Sequence, residues 1–93
     1  MEITYHPAKR EATLKERGLD FEDAAEVFAG PVLTMVDDRK DYGEDRFLTY
    51  GLAIDRLVVV VWTPRGHACH VISMRHCNDR ERAQFQHQLR RSR

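Results

Sequence analysis

Four side chains in the last third of this 93-residue chain are of types that handle phosphate and protons: Arg65, Ser73, Arg75 and His76. The segment His67 to Arg75 alternates in character and is predicted as a β-strand. At a period of two, His67, Cys69, Val71, Ser73 and Arg75 share one face, and Ala68, His70, Ile72 and Met74 share the other. The first face ends in a hydroxyl and a guanidinium two residues apart, followed by His76, with Arg65 in the turn at the other end of the hairpin. Guanidinium groups bind phosphate oxygens through charge-assisted, bidentate hydrogen bonds. Imidazole titrates near neutrality, as general acid–base work requires. The plain alternative is a solvated sheet edge with a histidine that only precedes a helix cap.

Further candidates lie upstream. Glu44 and Arg46 flank the start of a long predicted strand, where the carboxylate either orients an arginine cluster, serves as a base, or forms an ordinary surface ion pair. Tyr50 and Trp62 offer rings on which an unpaired base can stack, or they pack in the core. His6, His67, His70 and His87 make weaker proton-transfer cases, and His67 and His70, three apart on a strand, point to opposite faces. No residue spacing suits zinc. Cys69 and Cys77 lack metal or redox spacing and are expected to be reduced thiols with packing roles. No glycine-rich phosphate loop occurs, so neither metal nor cofactor is expected.

The elements that must position these groups follow from periodicity and punctuation. Glu2 to Tyr5 is a short first strand. Pro7 suits the first position of a helix over residues 7–17, with Ala8, Ala12 and Leu14 as its apolar stripe and Gly18 as a left-handed cap. Asp20 caps a second helix, in which Phe21, Ala24, Ala25 and Phe28 recur at helical spacing with Val27 on their flank, and Gly30-Pro31 stops it. Val32 to Val36 is a strand, Asp37 to Asp45 a polar loop, and Arg46 to Ile54 a second long strand that turns at Asp55-Arg56. Leu57 to Thr63 is an apolar, β-branched run suited to a central strand buried on both faces. Pro64-Arg65-Gly66 forms the next turn. Asn78 and Glu81 have capping-box spacing for a last helix with Ala83, Phe85 and Leu89 on its inner side, and Arg80, Arg82, Arg90 and Arg91 on its polar side. The expected architecture is α+β: two N-terminal helices, an antiparallel meander sheet and a C-terminal helix, in one domain over residues 1–93.

Charge adds one pointer. The chain is neutral overall, but residues 1–45 carry 12 acidic and 6 basic side chains, whereas residues 46–93 carry 3 acidic and 9 basic ones, all arginine. Such asymmetry suits a polyanion partner, or two halves that attract one another. Apolar residues make up 42%, enough for one thin core, and none of their runs approaches a membrane span. Neither a signal peptide nor a membrane segment is read at the N-terminus, so the cytoplasm is the expected compartment.

Three segments in order resemble the BrnT family of type II toxins, whose fold is similar to that of RelE-type ribonucleases. They are YHPAKREATLKERGLDFEDAAEVFAGP from Tyr5 to Pro31, GEDRFLTYGLA from Gly43 to Ala53, and the stretch from Val58 to Arg82 that contains TPRG and ISMRHC. The resemblance implies a bacterial cytoplasmic toxin that cleaves RNA without a metal and arrests translation. It also implies a BrnA-like ribbon-helix-helix antitoxin as partner, with DNA met only through that antitoxin. Carried onto this chain, the implied catalytic positions are Arg65, Ser73 and Arg75 with His76 adjacent; Glu44 and Arg46 match the family's Gly-Glu-x-Arg-Phe step. Met74 stands where alanine is common and His76 where a second basic residue is usual. The expected mechanism is in-line attack by the ribose 2′-OH, with Arg65 and Arg75 stabilising phosphoryl charge, Ser73 placing an oxygen, His76 or Glu44 moving protons, and Arg46 and Tyr50 binding RNA. The rival reading is a non-catalytic domain that only docks an antitoxin-like partner.

Overall fold

The computed structural model describes residues 1–91. Its chain order is β1 (Glu2–Tyr5), α1 (Pro7–Arg17), a single 3₁₀ turn (Phe21–Asp23), α2 (Ala24–Ala29), β2 (Leu33–Val36), β3 (Phe47–Ala53), β4 (Arg56–Arg65), β5 (Ala68–His76) and α3 (Asp79–Arg91). The α+β class is as expected, and β3, β4 and β5 form the antiparallel meander. The sheet as a whole is not a simple meander. Its five strands run in the order β1-β5-β4-β3-β2, and β1 lies parallel to β5. The first strand therefore seals the edge beside the last, a long-range pairing that local periodicity does not encode.

The N-terminal helices differ from the expected ones in packing. Pro7 and the Gly18 cap (φ 68°) bound α1 as predicted, yet α1 has no buried residue and its stripe of Ala8, Ala12 and Leu14 faces outward. Polar contacts hold it instead: Arg10 grips Asp20 at 2.8 and 2.9 Å, and Arg17 Nη1 donates to the Met74 carbonyl at 2.9 Å. Asp20 accepts from the Glu22 amide as a cap should, but the chain makes a 3₁₀ turn before α2. Phe21, Ala24 and Val27 are then buried and Ala25 is exposed, because the tighter turn rotates the inner face.

Both faces of the sheet are used. Val58 and Val60 point toward α2, Phe21 and Leu19, together with Cys69, Val71 and Met74. Val59 and Tyr50 point the other way, under Phe85 of α3 with Cys77. Cys69 and Cys77 thus lie in separate clusters on opposite sides, both buried and both free thiols. The capping box of α3 is present: Glu81 N–H donates to Asn78 Oδ1 at 2.8 Å, and Asn78 N–H to Glu81 Oε1 at 3.0 Å. Ala83, expected inside, is exposed, and Phe85 and Leu89 make the contact.

The turns are shifted by a residue or two. Pro64 and Arg65 belong to β4, and Gly66 (φ 60°) makes the turn. The β3–β4 turn is formed by Ile54 and Asp55, at φ 49° and 64°. Two consecutive residues with positive φ are what the twist of a tight hairpin demands.

Candidate nucleic-acid interface

One irregularity decides which side chains share a surface. Val61 pairs with Ser73 but Trp62 pairs with Val71, so Ile72 is an extra residue in β5. A bulge of this kind reverses the alternation beyond it. Cys69 and Val71 point toward α2, whereas Ser73 and Arg75, paired with Val61 and Val59, point toward the α3 side. The expected single face of His67, Cys69, Val71, Ser73 and Arg75 is corrected by this bulge. His70, paired with Thr63, moves onto the surface of Ser73 and Arg75. His76, next to Arg75 and paired with Val58, points to the opposite face whatever the bulge does: its Nε2 lies 3.2 Å from the Arg17 carbonyl, on the α1 side. The expectation that His76 joins the arginine cluster is therefore corrected as well.

On the α3 side the residues fall in successive rows. Leu33, Tyr50, Val59 and Arg75 lie side by side, as do Met35, Leu48, Val61 and Ser73. Thr63, His70 and Thr4 form the next row, and Arg65 stands beyond it. The buried part of α3 packs on the first row, through Phe85 on Tyr50 and Val59. Ser73 and His70 are half-buried and Arg65 is exposed. Arg65 and Arg75 share this surface but stand at its two ends. Arg65 lies on β4 six positions beyond Val59, the partner of Arg75, roughly 20 Å at 3.3 Å per residue. They do not close on one phosphate, which corrects the convergent pair expected from sequence.

Arg75 is already engaged. Its Nη1 and Nη2 donate to the two Glu81 oxygens at 2.7 Å each, and Nη1 also reaches the His76 carbonyl at 3.3 Å. The guanidinium and the capping bond hold the Glu81 carboxyl down from its ordinary 4.5 to about 2. Tyr50 is only 6% exposed beneath α3. Its phenol titrates above its ordinary range because it is buried next to Glu81. A base cannot stack on a ring in that position, so the expected role of Tyr50 in RNA contact is corrected to core packing. Trp62 packs edge-on against Phe28 with centroids 5.3 Å apart and donates to Thr49 Oγ1 at 2.8 Å.

The other end of the surface is less saturated. Glu44 lies between two arginines, 3.7 Å from Arg46 Nε and 3.8 Å from Arg65 Nη2. Both separations are ion-pair distances beyond a good hydrogen bond. The Arg46 guanidinium stacks 3.9 Å above the Tyr42 ring, and its buried Nε has no hydrogen-bond partner. Tyr42 is a contributor that sequence reasoning missed, since it lay in a segment read only as loop. His70 Nδ1 sits 2.8 Å from Thr4 Oγ1. Its imidazole titrates below its ordinary value, chiefly through burial and then the Arg65 charge, with Glu44 pulling the other way. No group of three or more metal-ligating side chains comes together among the described residues, and none of their helices is long and apolar enough to cross a membrane.

Residues 5–81 match the family model of the ribonuclease toxin BrnT of type II toxin–antitoxin systems. The chain also resembles the crystal structure of the Brucella abortus ribonuclease toxin BrnT, at 30% identity and a TM-score of 0.64, over 85% of this chain and 99% of that one. No curated protein matches. With residues 5–81 taking in all but Arg82 of the three sequence segments and most of the sheet, the chain belongs to the BrnT family of ribonuclease toxins.

Proposed function

We propose that this toxin binds single-stranded RNA along the α3-side surface and cuts it at the Arg65 end. The observation that carries this is the pair of arginines around Glu44. Arg46 keeps an unmatched buried donor, and Arg65 is exposed with only a long ion pair. Arg65 is open to phosphoryl oxygens, and the covered Arg46 sets a second positive charge beside it. Arg65 and Arg46 neutralise charge developing on the scissile phosphate, Glu44 orients them, and Ser73 donates to a phosphate oxygen further down. The roughly 20 Å surface is long enough for several nucleotides of one strand. Arg75 then meets a different phosphate from Arg65, or serves only as the anchor of α3.

The reaction in this reading is in-line attack of the ribose 2′-OH on its own phosphate, with no metal required, and translation arrest is its consequence. The partner is a BrnA-like ribbon-helix-helix antitoxin in the cytoplasm, and DNA is met only through it. The test is incubation of purified protein with RNA in EDTA, with Arg65→Ala alongside. Cleavage in EDTA that falls by about 10²–10³ in the variant supports the reading. Activity that disappears with EDTA and returns with a divalent ion overturns the metal-free mechanism. The binding-only reading has one observation in its favour, the full occupation of Arg75 by Glu81, and it predicts no cleavage at all.

A further inference from the structure

Resting on that site, we propose that His70 is the catalytic base, taking the proton of the attacking ribose 2′-OH. The bulge at Ile72 is what puts it there, in the row between Ser73 and Arg65 and facing the same way as both. Thr4, on the parallel edge strand, aligns with His70 in register and places Oγ1 2.8 Å from Nδ1. When Thr4 Oγ1 accepts from Nδ1–H, the tautomer is fixed and Nε2 carries the lone pair. That is the arrangement of a base with its orienting partner, supplied here by the parallel pairing of β1 with β5.

Burial, and then Arg65 from β4, disfavour a second proton on this imidazole; Glu44 opposes them, and Lys9 from α1 and His6 from the β1–α1 junction add smaller effects in the first direction. A base must be unprotonated to act, so this balance extends its working range toward lower pH. In the step itself, Nε2 takes the 2′-OH proton as O2′ bonds to phosphorus. The bond from phosphorus to the 5′ oxygen breaks, and that oxygen takes a proton from water. The products are a 2′,3′-cyclic phosphate and a 5′-hydroxyl, and His70 returns its proton to solvent.

The experiment measures single-turnover cleavage of one RNA oligonucleotide against pH for the wild type, His70→Gln, Thr4→Val and Arg65→Ala. Binding of a 2′-O-methyl version of the same oligonucleotide and thermal unfolding are followed in parallel. His70→Gln is expected to lose about 10²–10⁴ in rate, to bind the uncleavable RNA as well as the wild type, and to lose the acidic limb of the pH profile. Thr4→Val is expected to lose less and to shift that limb. His70→Ala with added imidazole serves as a second variant, and recovery of rate supports the assignment. Full activity in His70→Gln, with Arg65→Ala inactive, overturns the base and leaves the site standing. Unchanged binding and cleavage in Arg65→Ala overturns the site itself.

Discussion

Arg75 and Glu81 hold one another through two hydrogen bonds of 2.7 Å across the junction of β5 and α3. The same carboxylate closes the capping box with Asn78. One acidic side chain therefore both caps the start of α3 and ties it to β5, and Arg75 is the counter-charge that keeps it in place.

Arg75→Ala and Glu81→Ala should each cost about 1 kcal/mol, because each removes the two charge-assisted bonds across the junction while solvent screens the partly exposed Arg75. Denaturant unfolding gives the values, and a double-mutant cycle gives the coupling. Arg75→Lys should not restore the wild type, since an ammonium cannot form the two parallel bonds. Near-zero losses in both single variants would show that α3 docks through Phe85 and Leu89 alone.

Acid should weaken the fold through the same pair. The Glu81 carboxyl lies lower in the folded chain than its ordinary 4.5, at about 2. A depressed carboxyl stabilises the fold fully above its unfolded value and loses that contribution as pH falls toward the folded one. The stability difference between the wild type and Glu81→Gln should therefore be constant at neutral pH and shrink from about pH 5 down to about pH 2. Asp20 and Asp37 are held low by Arg10 and Arg39 in the same way, so only the difference isolates Glu81. A difference that stays flat through this range would remove the pair as its source.

RNA affinity should weaken with salt. Each phosphate contact on a single strand contributes about −0.7 to the slope of log affinity against log salt. Arg46→Ala and Arg65→Ala should each make that slope shallower by about 0.7, on an RNA blocked at the 2′ position. His76→Ala should leave it unchanged, since that ring lies beside the Arg17 carbonyl on the other side of the sheet. Equal slopes in all three variants would mean that phosphate is read elsewhere.

The β3–β4 turn offers a gain in stability. Ile54 and Asp55 both have positive φ, a conformation costly for a β-branched residue. Replacing them by Asn and Gly, which adopt it readily, should raise the unfolding free energy by about 0.5–2 kcal/mol. A melting scan of the double variant decides the matter. Ile54 is 67% exposed, so little packing is lost. An unchanged or lower melting temperature would show that the Ile54 amide bond to Glu26 Oε2, at 2.6 Å, depends on the native pair.

Much of this architecture is legible in the residues alone. Pro7 and Gly18 bound α1, Asn78 with Glu81 opens α3, and the valines of β4 mark the buried central strand, because caps and short-period patterns act over a few residues. Only the tertiary structure decided what those elements expose together. The extra residue at Ile72 is set by the register against Val61 and Trp62, and it puts His70 in place of Cys69 and Val71 on the surface that carries Arg65 and Ser73. The pairing of β1 with β5 brings Thr4 to His70 across 66 positions of sequence. Register and edge pairing are settled by cross-strand burial over the whole sheet, so a strict alternation read from one strand assigns the faces correctly only up to the first bulge.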